Sequence, residues 1–202
     1  MNFLAHIYLS GNNKMVTIGN FIADGIKSDA YKNYPADIQK GILLHREIDT
    51  FTDAHPIVRQ STKRLHKNYG HYSGVIVDIL YDHFLAKNWN VYSSVKLKDF
   101  VENFYEDLEE HFEILPLRIQ NLIPYMIADN WLYNYSKIEG IQRVLDGMNR
   151  RTKHVSKMNE ATTELKRHYT EFQEEFTFFF NELIPFSKEK LIEINLNYDI
   201  QS

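Results

Sequence analysis

Apolar residues recur at helical spacing along almost the whole chain, and no stretch keeps the two-residue rhythm of a half-buried strand. The pattern predicts helices over residues 2–10 and 15–27, although Gly19 and Gly25 weaken the second. Pro35 suits the first turn of a longer helix that reaches about Thr52 and carries Ile38, Ile42, Leu44 and Ile48. The His55-Pro56 step breaks it. A basic helix follows to about Tyr69, then a turn over Gly70 to Gly74, then a strongly apolar helix over 75–88. Further helices are predicted from a Ser94 cap to Leu115, from Pro116 to Tyr135 with an interruption at Pro124, from Ile138 to Met148, and from Asn159 to Phe186. The expected fold is all-α: one helical bundle over residues 1–190, with a polar tail, residues 191–202, that frays.

Polar residues break the apolar pattern in a regular way. Asn2 and His6, Asn20 and Asp24, His45 and Asp49, and Asp78 and Asp82 are each four residues apart inside apolar stretches. On a helix such pairs share a face. A carboxylate or imidazole among Leu, Ile and Phe is costly unless it is paired or bound to a metal. Several helices aiming such groups inward describe a metal site in a bundle. Asp78 and Asp82 in VIVDILYDHF would repel one another without a cation. The plain alternative for each is structural: His6 as a hydrogen-bonded core histidine, His45/Asp49 as an intrahelical pair.

Composition narrows the function. With 44% hydrophobic residues in 202, the chain can bury a core. It has no cysteine, which excludes disulfides, thiolate zinc sites and a cysteine nucleophile. It has no apolar run long enough to span a membrane. The opening MNFLAHIYLS lacks a basic leader and does not read as a signal peptide, so the cytoplasm is the expected location. A net charge of -4 argues against general nucleic-acid binding. Charge is uneven, however. No acidic residue occurs from Ala54 to Val77, where Arg59, Lys63 and Lys67 fall on one helix face. That face is either simply solvated or receives an acidic partner. Arg143, Arg150, Arg151 and Lys153 form a second basic patch, and Asp129, Asn130, Trp131 and Tyr135 are candidate cleft-lining groups.

His45 and Asp49 are both good ligands for a divalent cation, and Arg46 beside them could hold an anion. Asp82-His83 is a reversed form of the His-Asp dyad of HD-type phosphohydrolases. A shell of imidazole and carboxylate suits Mn²⁺, Fe²⁺ or Mg²⁺. Such a cation acidifies water and polarises a phosphoryl oxygen, which points to phosphate-ester hydrolysis. There is no phosphate-binding glycine loop, serine-hydrolase elbow or kinase signature.

Four segments in order, MNFLAHIYLS, GNFIADGIK at 19–27, GILLHREIDTFTD at 41–53 and ILYDHFLAKNW at 79–89, resemble the acyl carrier protein phosphodiesterase family. The resemblance implies an all-helical, non-standard relative of the HD-domain fold. It implies hydrolysis of the phosphodiester that joins 4'-phosphopantetheine to a serine of holo-acyl carrier protein, with a divalent cation, Mn²⁺ favoured. It matches this chain at His6, Asn20, Asp24, His45, Arg46, Asp49, Asp53, Asp78, Asp82 and His83 without assigning their roles; of these, His6, Asp24, His45, Asp49, Asp78, Asp82 and His83 are the expected metal ligands. Asp24, His45, Asp49, Asp82 and His83 are the expected catalytic groups. Asn20, Arg46 and Asp53, with the cationic face of Arg59, Lys63 and Lys67, are the expected substrate contacts. The competing expectations are an HD-type hydrolase of a small phosphorylated metabolite or nucleotide, and a non-catalytic helical protein that binds an acidic partner.

Overall fold

A computed structural model describes residues 2–201, and every regular element among them is a helix. Helix α1 (Phe3–Leu9) has no side-chain cap of its own at Asn2. Its first amides are satisfied from elsewhere in the chain: Leu4 N–H and Ala5 N–H donate to the two carboxylate oxygens of Asp82, at 2.8 and 3.1 Å. Helix α2 (Lys14–Ile22) is capped locally, where Asn13 Oδ1 accepts from the amides of Met15 and Val16. It ends earlier than its hydrophobic pattern predicts. A single 3-10 turn (Ala23–Gly25) follows, so Asp24 stands just beyond the helix.

Helix α3 (Ala36–Ala54) begins after Pro35 and packs intimately on α2. Gly19 and Gly41 make this possible. A β-carbon on Gly41 would collide with the Val16 carbonyl, and one on Gly19 with the Ile38 carbonyl. The glycine that weakens α2 as a helix therefore serves its packing. Helix α4 (Pro56–Tyr69) follows the His55 break, and α5 (Ser73–Lys87) runs through the middle of the molecule. From Ile76 to Ala86 only Asp78 on α5 is not fully buried. A helix apolar on all sides is a core helix, and here it is.

The second half is more broken than its sequence suggests. After α6 (Trp89–Tyr92) comes α7 (Leu97–Glu110), which starts after Lys96 rather than Ser94 and has no side-chain cap. The stretch from Pro116 to Tyr135 is three short helices, α8 (Leu117–Gln120), α9 (Ile123–Ala128) and α10 (Trp131–Asn134), with Asn130 in the left-handed region at φ 45° between the last two. Asn tolerates that conformation better than most residues. Helices α11 (Ile138–Arg151), α12 (Ala161–Arg167) and α13 (Tyr169–Gln201) complete the fold.

The expected fraying tail is instead the end of α13, which continues through Pro185. Its later residues find partners that local composition does not reveal. Tyr198 Oη donates to Gln39 Oε1 at 2.9 Å, and Ser187 and Ile194 are buried. Earlier in α13, Phe172, Phe176, Phe179, Phe180 and Leu183 are fully buried. No helix among the described residues is long and apolar enough to cross a membrane.

Candidate metal centre and cleft

The close approach of α1, α2 and α3 brings His6, His45 and Asp49 together, with one donor atom from each within 4.8 Å of the others. Asn20 orients both histidines. Its Nδ2 donates to the His6 carbonyl at 3.0 Å and to Ser10 Oγ at 2.9 Å. That fixes its Oδ1 as an acceptor, 2.8 Å from His6 Nδ1. Its main-chain carbonyl, which can only accept, lies 2.8 Å from His45 Nδ1. Both imidazoles thus carry a proton on Nδ1 and turn Nε2 toward one carboxylate. His6 Nε2 is 3.2 Å from Asp49 Oδ1, and His45 Nε2 is 3.0 Å from Asp49 Oδ2.

The two rings stack, with centroids 4.0 Å apart and planes 19° from parallel. Two stacked imidazolium ions would repel, and the pair divides accordingly. Burial, with help from His45, lowers His6 to about 4. Burial also opposes charge on His45, but Asp24 and Asp49 outweigh it and raise that group to about 9. Asp49 stays ionised well below the usual carboxylate range, because His45 and His6 overcome its desolvation. The hydrogen bond with His45 lowers Asp24 too, with Oδ1 3.2 Å from Nε2.

A neutral His6 with Nδ1–H committed to Asn20 has only a lone pair on Nε2. That buried atom has no hydrogen-bond partner, yet it faces a carboxylate oxygen. A lone pair set against an anion is repulsive unless a cation lies between them. The donor set, two imidazoles and a carboxylate with a second carboxylate beside His45, fits a divalent cation.

The other expected ligands do not join this cluster. Asp82 is fully buried, and both its oxygens are taken by the amides of α1. Burial, partly offset by those amides, raises it to about 7. His83 faces away: Nδ1 is 2.7 Å from the Tyr135 carbonyl and Nε2 is 3.0 Å from Tyr169 Oη. The reversed dyad therefore holds helices together. Asn20 touches histidines rather than an open surface, and Arg46 donates to the Ser28 carbonyl at 2.6 Å and covers the Tyr31 ring. Asp78 is not among the three clustered groups; it lines the cleft, and burial raises its pKa.

The cluster opens into a cleft of about 1260 Å³. Asn2, Asp24, Asp49, Asp53 and Asp78 line one part of it; Arg118, Arg143, Arg150 and Arg151 line another. The candidate groups Asp129, Trp131 and Tyr135 also line it. The sequence gives no local signal for Arg118, which sits in a broken helical stretch. A second groove, about 550 Å³, runs along α4 beside Arg59, Lys63 and Lys67 and shares Asp53 and Asp78 with the cleft.

The model of one family, described as acyl carrier protein phosphodiesterase, matches residues 1–183. The chain belongs to the acyl carrier protein phosphodiesterase family. It is similar to relatives of that name from Yersinia enterocolitica, 30% identical over 193 residues (95% of this chain, all of the relative), and Photorhabdus laumondii, 32% identical over 170 residues (84% of this chain, 86% of the relative). A Salmonella agona relative of the same name is 30% identical over 193 residues, again 95% of this chain and all of the relative. No solved structure matches the chain. For this phosphodiesterase family member, the all-helical expectation holds, and the cluster draws on three of the four spaced polar pairs: His6, Asn20 with Asp24, and His45 with Asp49.

Proposed function

We propose that the protein hydrolyses the phosphodiester joining 4'-phosphopantetheine to a serine of holo-acyl carrier protein, at a divalent cation held by His6, His45 and Asp49. One observation carries the site assignment. Asn20 commits both Nδ1 atoms, so both Nε2 atoms and both Asp49 oxygens converge on one point. Family membership carries the substrate. Mn²⁺ suits the mixed donors best, with Mg²⁺ or Fe²⁺ as alternatives. A cytoplasmic location belongs to this reading.

A bound divalent cation supplies Lewis-acid charge to a phosphoryl oxygen and makes water more acidic. The chain does the rest. Asn20 keeps both imidazoles in the ligating tautomer, as outer-shell partners of metal-binding histidines do. Asp24, ionised and exposed beside His45, accepts the proton of the attacking water. The water oxygen bonds to phosphorus and the bond from phosphorus to the serine oxygen breaks. That oxygen takes the proton Asp24 accepted, which leaves apo-acyl carrier protein and the phosphomonoester 4'-phosphopantetheine and returns Asp24 to its ionised form. The cations of α4, along the groove that meets the cleft at Asp53 and Asp78, attract the acidic carrier protein.

Mass spectrometry of holo-acyl carrier protein after incubation with enzyme and Mn²⁺ tests this. Conversion to the apo form, abolished by chelation and in Asp49→Ala, is expected. A carrier protein that keeps its prosthetic group overturns the reading, and orthophosphate release from small phosphomonoesters would favour a small-molecule phosphohydrolase instead.

A further inference from the structure

The cleft is larger than a phosphodiester needs. Its volume of about 1260 Å³ exceeds the usual range for pockets that hold drug-sized ligands, while the cluster occupies one part of it. The cluster side chains come from α1, the turn after α2, and α3. The lining from α8 to α11 is different in kind. Leu122 and Tyr125, three residues apart at the start of α9, and Val144 and Met148, four apart on α11, form two short apolar ridges. Each is partly open to the cleft, and Tyr125 is 67% exposed. Trp131 lies between them in sequence, its ring also on the cleft and its indole N–H 3.5 Å from Asp129 Oδ2. The left-handed Asn130 separates α10, and so Trp131, from α9. Large apolar side chains left open to a cleft, rather than to the core, mark a place for an apolar part of a ligand.

We infer that this α8–α11 sector, centred on Leu122, Tyr125, Trp131 and Met148, binds the pantetheine arm of the substrate. This inference rests on the functional reading above. Three features of the cleft favour the arm over other occupants. The arm is bonded to the phosphorus that would sit at the cluster, so it must lie in the space continuous with the cluster, and this is that space. The arm is a flexible chain with a branched apolar carbon and two amides; the apolar ridges match its carbon skeleton, and the Trp131 ring beside them offers a further apolar face. The protein part of the substrate has its own cationic groove, which reaches the cleft from the α4 side at Asp53 and Asp78. The substrate would then run from the α4 groove, past these two carboxylates, to the cluster and on into the apolar sector.

The test uses the full-length, metal-loaded enzyme with three ligands: holo-acyl carrier protein as substrate, and pantetheine or apo-acyl carrier protein as inhibitors. With wild type, pantetheine should compete with the holo-carrier. In Tyr125→Ala/Met148→Ala its inhibition constant should rise about tenfold, as expected when a few buried methylenes are lost. The KM for holo-carrier should rise similarly, while inhibition by the apo-carrier, which has no arm, should stay as in wild type. Tyr125→Ala alone removes a mostly exposed ring and guards against a double variant that fails to fold. If wild type converts holo-carrier but pantetheine does not inhibit, or the variants keep wild-type inhibition by it, the arm lies elsewhere and the functional reading survives. If wild type does not convert holo-carrier at all, that reading falls and the arm assignment falls with it.

Discussion

His45 carries most of the electrostatic tension in the cluster. Without metal, Asp24 and Asp49 hold its proton to about pH 9, and a cation has to displace that proton. Apparent Mn²⁺ affinity should therefore climb about tenfold per pH unit below pH 9 and then level off. Calorimetric titrations over pH 6–9.5, in buffers of different ionisation enthalpy, would count the released proton; an affinity independent of pH would remove His45 from the ligand set. The same shift has a sign for stability. A raised histidine stabilises the metal-free fold below its ordinary value of 6.5 and loses that contribution as pH rises toward 9. The metal-free melting temperature should fall across that window. Asp82 belongs to a different category. Asp82→Ala should cost about 1–3 kcal/mol in urea unfolding, through the two lost α1 caps, yet leave one bound cation per chain. Loss of stoichiometric binding would make Asp82 a ligand after all. His45 and Asp49 stood out in the sequence because two candidate ligands one turn apart on one helix are a local pattern. Asp82 looks identical locally, and only the arrival of the α1 N-terminus, 78 residues earlier in the chain, decides that it is a cap.

At the scale of the helices, α4 is oriented by what it turns inward. Arg64 donates to Glu175 of α13 through both terminal nitrogens, at 2.7 and 2.6 Å, and Gln60 donates to the same carboxylate at 2.7 Å. Ser61 completes the set. With Arg64 committed there, Arg59, Lys63 and Lys67 face the groove. Breaking a largely buried ion pair on one side is expensive, so Glu175→Gln should lose about 2–4 kcal/mol of stability in urea unfolding. A change below about 0.5 kcal/mol would show that the lock contributes little. The helical pattern made the existence of α1 to α5 legible, since their periodicity is strong and Pro35 and Pro56 punctuate them. It misplaced the breaks between α8 and α10 and the end of α13. A left-handed Asn130 and a Tyr198–Gln39 contact are tertiary facts with no periodic trace.

For the molecule as a whole, the question is how a charged protein substrate is brought to a small site. Exposed cations act over about 8 Å at physiological salt, mainly on the rate of encounter. Reversing Arg59, Lys63 and Lys67 to Glu should raise the KM for holo-acyl carrier protein several-fold and flatten its salt dependence, while Mn²⁺ affinity stays as in wild type. Wild-type KM and salt dependence in this variant would make the α4 face a solvated surface and move docking to the arginines of the cleft. The shared face of Arg59, Lys63 and Lys67 was readable from the chain, but its junction with the cleft was not, because the two grooves meet only where α3 and α5 bring Asp53 and Asp78 together. The lock on α4 also sets an order in time. His6, Asn20, Asp24, His45 and Asp49 all leave the ribosome ahead of position 50, and the Asp82 cap follows soon after. Glu175, which fixes the cationic face, is made 126 positions after Asp49. Domains complete themselves as their last partners emerge. A nascent chain thus carries every residue of the candidate metal cluster long before it presents a settled surface to the protein it acts on.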